Sequence, residues 1–162
     1  MYNLGLDLGT SFIKAALTEC SSGNVVNVVS QPSSEQKIKV FKDGWAEQDP
    51  EIWWKNTCLA IKNLISLTNI NPSLISRIGI SYQMHGLVLL DDNGNLIRDS
   101  IIWCDDRAVS VGKKAFIELG KEKCIDQLLN SPANFTASKL KWVKNNEKEP
   151  VGFKSSAFSQ LV

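Results

Sequence analysis

Apolar and polar positions along this chain change period several times, and each change marks an element. Tyr2 to Leu8 is short and apolar and closes on Gly9-Thr10-Ser11, the pattern of a strand running into a tight turn. Ile13, Ala15 and Leu17 alternate with Phe12, Lys14 and Ala16, which predicts a second strand by its period of two. Ser21 to Asn24 is a turn, and the β-branched run Val25 to Val29 is a third strand. The opening is therefore a β-meander. Residues 31–44 are polar, carry Pro32 and Gly44, and show little period, so they are expected to be mostly loop with room for one short strand.

The period then becomes helical. Asp49 suits an N-cap, Pro50 the first helical position, and Glu51 the positive end of the helix dipole. Trp53, Ala60, Ile61 and Leu64 recur at helical spacing and should face a core, and Asn71-Pro72 ends the element. Ile75 to Ser81 and Leu87 to Leu90 read as strands, with the Asp91-Asp-Asn-Gly-Asn95 cluster turning the chain before Leu96. That cluster lacks the spacing and terminal glutamate of an EF-hand loop, so a hairpin turn is the better reading. Ile101 to Trp103 reads as a buried strand. From Arg107 to about Asn146 the pattern is helical, through Val111, Ala115 and Leu119, then Ile125, Leu128 and Leu129, then Leu140 and Val143. Strands first, then strands mixed with helices, predict an α/β domain with a mixed sheet.

Composition narrows the function classes. The chain has 162 residues, the size of one domain, and its 43% hydrophobic content can supply a sizeable core. Eighteen basic residues against seventeen acidic ones leave a formal charge of +1, which argues against a nucleic-acid or membrane-surface binder that works by bulk charge. No apolar run approaches the roughly 20 residues of a membrane helix. The N-terminus has no basic leader before an apolar stretch, so a cytoplasmic protein is the expectation. Cys20, Cys58, Cys104 and Cys124 are scattered and accompany a single histidine, which disfavours a zinc site or a disulfide framework. The Asn134-Phe-Thr136 glycosylation match carries nothing without a secretory signal.

Three segments could carry chemistry. Asp7-Leu-Gly-Thr-Ser11 is not a Walker A loop, because no Gly-Lys-Ser/Thr follows and the next element is a strand. Gly9 nevertheless permits close backbone approach to an anion, the Thr10 and Ser11 hydroxyls suit phosphate oxygens, Asp7 suits a magnesium ion or its waters, and Lys14 adds a positive charge. An ordinary hairpin would use the same residues only to satisfy turn donors. Gln83-Met-His-Gly86 follows a strand end, where α/β sheets place ligand contacts, yet His85 could equally be a satisfied structural histidine and Met84 a gap-filler. Trp103-Cys-Asp-Asp-Arg107 could hydrogen-bond a polyol, or its aspartates could cap the helix that follows.

Taken in order, Asp7-Leu-Gly-Thr-Ser11, Trp45-Ala-Glu-Gln-Asp-Pro50 with Trp53-Trp54, Gln83-Met-His-Gly-Leu-Val88 and Ile102-Trp-Cys-Asp-Asp-Arg107 resemble the FGGY carbohydrate kinases from residue 1 to about 150. The resemblance implies an actin-like, RNase H-like α/β fold, a mixed sheet with flanking helices, present here as an incomplete N-terminal domain. Residues 1–150 would be the N-terminal part of domain I and residues 151–162 a divergent or truncated tail. It also implies transfer of the γ-phosphoryl group of ATP, with Mg2+, to the 5-hydroxyl of D-xylulose or a related sugar. Asp7 then matches the aspartate required near magnesium and the phosphates, Thr10 and Ser11 the phosphate-loop hydroxyls with Lys14 beside them, and Met84 and His85 the sugar-contacting pair. Trp103, Asp105, Asp106 and Arg107 match a segment near the sugar pocket, where Cys104 stands in place of the family's common asparagine. No nucleic acid or membrane is implied, and a homodimer is compatible with the full-length form.

The family is roughly three times longer, with two domains of more than the usual size. Its general-base aspartate, adenosine-binding loops and second domain lie downstream of the segments found here. The chain is thus expected to be a truncated or frameshifted reading frame, inactive alone. The alternative is a non-catalytic module with weak affinity for sugar or phosphate.

Overall fold

A computed structural model describes residues 1–147, so the tail expected at 151–162 lies outside the described residues. The chain divides into two compact units, Met1–Lys37 with Pro50–Gln83, and Ile38–Asp49 with Met84 onward.

The first unit is a mixed four-stranded sheet with one helix against it. β1 (Tyr2–Leu8), β2 (Ile13–Glu19) and β3 (Val25–Gln31) form the antiparallel meander, and β5 (Ile75–Tyr82) lies parallel to β1, giving the order β3-β2-β1-β5. Parallel pairing demands a crossover, and α1 (Pro50–Thr68) supplies it. The period of two sends Leu4 and Leu6 of β1 and Ala15 and Leu17 of β2 onto one face, where Ala60 and Leu64 of α1 bury them. Ile61 packs at the margin of this core and Trp53 is half-buried. The helix begins at Pro50 and ends at Thr68, before a 3₁₀ turn at Pro72–Leu74. By the same alternation Asp7 and Lys14, which are register partners, stand exposed.

The second unit has little regular sheet. β4 (Glu47–Gln48) pairs antiparallel with β6 (Ser100–Ile101), and single bridges join Lys39 to Glu47, Leu87 to Ile101 and Leu90 to Leu96. The strand expected over 87–90 is thus only bridged, and the one expected over 101–103 ends at Ile101, with Trp103 in a turn. The helical stretch begins at Val109 and breaks into α2 (Val109–Leu119), α3 (Lys121–Leu128) and α4 (Thr136–Asn146). Gly120, at φ 92°, separates the first two, and Pro132 opens a 3₁₀ turn before the third. Leu87, Leu89, Ile101 and Val143 form the core of this unit, with Ile97, Leu140 and Trp142 packed against it. No helix among the described residues is long and apolar enough to cross a membrane.

Candidate functional site

In the first unit the candidate phosphate turn follows β1. Gly9 donates its N–H to the Phe12 carbonyl at 3.1 Å, and a Cβ on Gly9 would lie 2.8 Å from that oxygen. The need for glycine is therefore met inside the hairpin itself, and this N–H is not turned toward a ligand. The Thr10 hydroxyl donates to Gln83 Oε1 at 3.0 Å, while Gln83 N–H donates to the Leu8 carbonyl. Gln36 fastens the other side of the turn: its N–H donates to the Ser11 carbonyl at 2.9 Å and its amide group reaches the Thr10 carbonyl at 3.5 Å. Asn56 of α1 in turn donates to Gln36 Oε1 at 3.3 Å. The turn is rigidly held, with Asp7 and Lys14 exposed beside it. Gln36 lies in the 31–44 stretch expected to be mostly loop with room for one short strand, and no local signal marks it.

In the second unit the candidate sugar-side residues form two adjoining segments. Met84 and His85 occupy a turn in which His85 has φ 61°, a left-handed conformation uncommon for a side chain other than glycine. Met84 is exposed, whereas the His85 ring stacks on Phe135 with centroids 4.5 Å apart and planes 14° from parallel. Thr136 Oγ1 donates to the Gly86 carbonyl at 3.1 Å. Trp103 is about half exposed, and its carbonyl accepts from the Asn134 side-chain amide. The same short corner, residues 134–136, therefore touches both segments.

Asp105 and Arg107 behave differently from their neighbours. Both side chains are fully buried. Asp105 accepts from the Ala46 N–H at 2.6 Å, the Arg107 N–H at 3.0 Å, and the Arg107 guanidinium at 2.6–2.9 Å. Arg107 also pairs with Glu47 at 2.7 Å and lies over Trp45, 3.9 Å from its centroid, with Trp142 at 5.3 Å. Burial alone would pull the guanidinium's pKa down, but the hydrogen bonds of Asp105 and Glu47 hold it above its ordinary value. Arg98 bridges Glu47 to Glu147 and extends the network. These two residues hold the segment in place from within.

Asp106 stays exposed; its N–H donates to the Gly44 carbonyl at 2.8 Å and its carbonyl accepts from Val109. Neither aspartate caps α2, which starts after Ala108 without a side-chain cap. Burial pushes the Cys104 thiol up.

Two further residues carry the arrangement and were not singled out by pattern. Lys139 is completely buried on α4, and Asn134, met in the sequence only as a glycosylation match, spends its side chain inside the unit. The signal for Lys139 was its position one turn before Val143 on an otherwise core-facing stripe. No cluster of three or more potential metal ligands occurs among the described residues.

Comparison with known proteins agrees with this architecture. The model of the N-terminal domain of the FGGY family of carbohydrate kinases matches residues 2–152. The xylulose kinase of Bacillus subtilis is 36% identical over 161 residues, covering 96% of this chain and 30% of that protein. Among solved structures, xylulose kinase from Rhodospirillum rubrum superposes with a TM-score of 0.79 at 27% identity, over 91% of this chain and 30% of the other. Gluconate kinase from Lactobacillus acidophilus does so with a TM-score of 0.77 at 29% identity, over 91% and 29%. The chain thus spans about 30% of the length of the curated relatives it matches. With its mixed sheet, its crossover helix and this match along nearly all of its described length, the chain belongs to the FGGY family of carbohydrate kinases.

Proposed function

We propose that the chain carries the phosphate-side and sugar-side recognition segments of an ATP-dependent sugar kinase whose acceptor is the 5-hydroxyl of D-xylulose. One observation carries the sugar-side reading: residues 134–136 gather the Met84–His85 turn and the Trp103–Arg107 segment onto one corner. Ligand sites are usually built this way, from a few convergent polar groups beside apolar and aromatic walls.

Roles follow from exposure. Met84 and the half-exposed Trp103 offer apolar surface to the sugar's C–H faces, and Asp106 offers a carboxylate to its hydroxyls. The stacked His85 ring is held so that its nitrogens, at the ring edge, can bond a hydroxyl. Asp105 and Arg107 act by position, since neither presents its side chain to solvent. Xylulose is preferred over gluconate because several curated relatives that align over most of this chain are xylulose kinases.

On the phosphate side, Asp7 is one exposed carboxylate next to a rigid turn, with Lys14 opposite. That donor set fits magnesium, which is usually held by one or two carboxylates and the substrate's phosphates rather than by an all-protein cage. A magnesium ion held there by Asp7 would supply charge neutralisation on the phosphates of ATP. Thr10 keeps its hydroxyl proton on Gln83, so it meets a phosphate only after that bond is exchanged, while Ser11 and Lys14 contribute a hydroxyl and a charge.

Phosphoryl transfer requires two substrates positioned in line, with the developing charge stabilised. Asp106 is read as a hydrogen-bond acceptor for the sugar, and no described carboxylate is given the role of the base. We therefore expect binding without turnover from these 162 residues alone. The test pairs a D-xylulose titration, followed through the NMR signals of His85, with a coupled ADP-release assay. Unmoved His85 signals at saturating sugar would defeat the sugar-side reading. Sugar-stimulated ADP release near 1 s⁻¹, the low end of about 1–100 s⁻¹ for kinases, would show that the chain is a catalyst by itself.

A further inference from the structure

We propose that Lys139 is a positioning residue for the sugar side: from inside α4 it locks Asn134, and through Asn134 it sets the Trp103 segment and the His85 turn together. The inference rests on the sugar-side reading of those two segments.

Lysine is almost never fully buried without a partner, and a completely enclosed ammonium is costly. Lys139 has no accessible surface. Burial pulls its pKa down to about 8, with the nearby Asp105 charge opposing that fall. Its Nζ donates to two acceptors of one residue, the Asn134 carbonyl at 2.8 Å and Asn134 Oδ1 at 2.9 Å. Holding Oδ1 decides which way the amide faces, because Lys139 can only donate. The Asn134 Nδ2 is thereby turned outward, where it donates to the Trp103 carbonyl.

The next two residues face the other segment. Phe135 stacks on His85, and Thr136 holds the Gly86 carbonyl. Ser138 closes the corner from beneath, with its hydroxyl donating to the Pro132 carbonyl at 2.6 Å. One amine thus fixes the rotamer of Asn134 and the entry into α4, and both sugar-side segments are fastened to that entry. Stability alone does not call for lysine here, since replacing buried charges by packed apolar residues is often neutral or stabilising. Lys139 has no path to a ligand, so its effect passes through Asn134, Phe135 and Thr136.

The experiment is Lys139→Met in the full 162-residue chain, read by NMR and by titration with D-xylulose. His85 is the sole histidine, so its ring signals are unambiguous. The expected result is a folded protein in which the methyl signals of Leu4, Leu17 and Leu64 stay in place. The His85 ring and Trp103 indole signals move as the stack loosens, and D-xylulose binding weakens by up to about tenfold, the upper end of what one misplaced hydrogen bond to a neutral group costs. A purely structural lysine would lower the melting temperature but leave His85 and Trp103 unmoved in the folded protein, and that result overturns the proposal.

Should Lys139→Met fail to fold, Asn134→Ala removes the link and leaves the lysine's carbonyl bond. Moved Trp103 signals then support the proposal, and unmoved ones overturn it. Failure of the sugar reading looks different. D-xylulose would leave the unsubstituted chain's spectrum unchanged while Lys139→Met still moved His85 and Trp103, upholding the positioning and rejecting only its ligand.

Discussion

Asp7 and Asp105 both stand just beyond or at the end of a strand, and the two surroundings could hardly differ more. Asp7 lies on the exposed face of β1, opposite Lys14, beside a turn closed by the Gly9 N–H on the Phe12 carbonyl and fastened by Gln36 and Gln83. Asp105 is sealed inside the second unit and spends its oxygens on Ala46 and Arg107. One acid is left open to solvent; the other is consumed in holding its own segment in place. A carboxylate near a strand's end is therefore not yet a binding group. Burial and partners decide which kind it is.

The sharpest way to break this contrast is at Arg107. Its guanidinium is the only counter-charge contacting Asp105 among the described ion pairs, and it shares Glu47 with Arg98. Arg107→Met leaves the buried Asp105 carboxylate without its ion-pair partner, a change that typically costs about 3–5 kcal/mol, while Glu47 keeps Arg98. Urea unfolding should show that loss. A loss below about 1 kcal/mol would mean Asp105 is solvated after all, and the distinction from Asp7 would collapse.

Lys139 gives the next largest effect, visible as a pH dependence. Its folded pKa of about 8 lies below the ordinary 10.5. Between those values the unfolded chain holds a proton that the native state has released, so stability must rise with pH across that window. Below pH 8 both states are protonated and the burial cost is constant. The full swing is on the order of 3 kcal/mol. Measured as the difference in unfolding free energy between the chain and Lys139→Met, other titrating groups largely cancel. A difference that stays flat from pH 8 to 10.5 would contradict the burial of a charged amine.

Gly112 offers a smaller and more local break. Alanine in a helix interior usually gains about 0.5–1 kcal/mol over glycine. Here an added Cβ would fall on the Pro132 carbonyl and the Ala133 Cα, both backbone, where α2 crosses the 3₁₀ turn before α4. Gly112→Ala should instead cost about 1–3 kcal/mol by overpacking, and it should disturb Asn134 two residues beyond Pro132. A stabilised variant would show that this crossing is loose.

The same contrast explains what could be read from the sequence. The meander, the first helix and the strand after it announce themselves because period, turn residues and capping signals act within a few positions, whereas the parallel pairing of that strand with β1 does not. Leu4, Leu6, Ala15 and Leu17 could be assigned to one face by counting alone. In the second unit the decisive bonds join Ala46 to Asp105, Gly86 to Thr136 and Trp103 to Asn134, separations of 59, 50 and 31 residues. No local pattern encodes such pairings. The Trp103–Arg107 motif could therefore be located but its two aspartates could not be told apart, and Lys139 and Gln36 went unnoticed among ordinary polar residues. The short strands failed for a related reason: Leu87 to Leu90 has strand-like composition but finds only bridge partners.

The smallest expected effect is at Asp7, and it tests the other half of the contrast. Asp7 is exposed, and its register partners are Lys14 on one side and Ser81 on the other. Surface substitutions away from caps, cores and networks usually change stability by no more than about 0.5 kcal/mol. An exposed ion pair to Lys14 would add little, since such pairs are commonly worth about 0–1 kcal/mol. Asp7→Asn keeps shape and removes only charge, so the chain's unfolding midpoint should hardly move. In a chain of its relatives' length the same substitution should lower turnover far more than sugar affinity, if Asp7 serves the phosphate side as proposed. A marked drop in stability would show that Asp7, like Asp105, is a structural acid. Sugar affinity lost with turnover intact would place it on the wrong substrate.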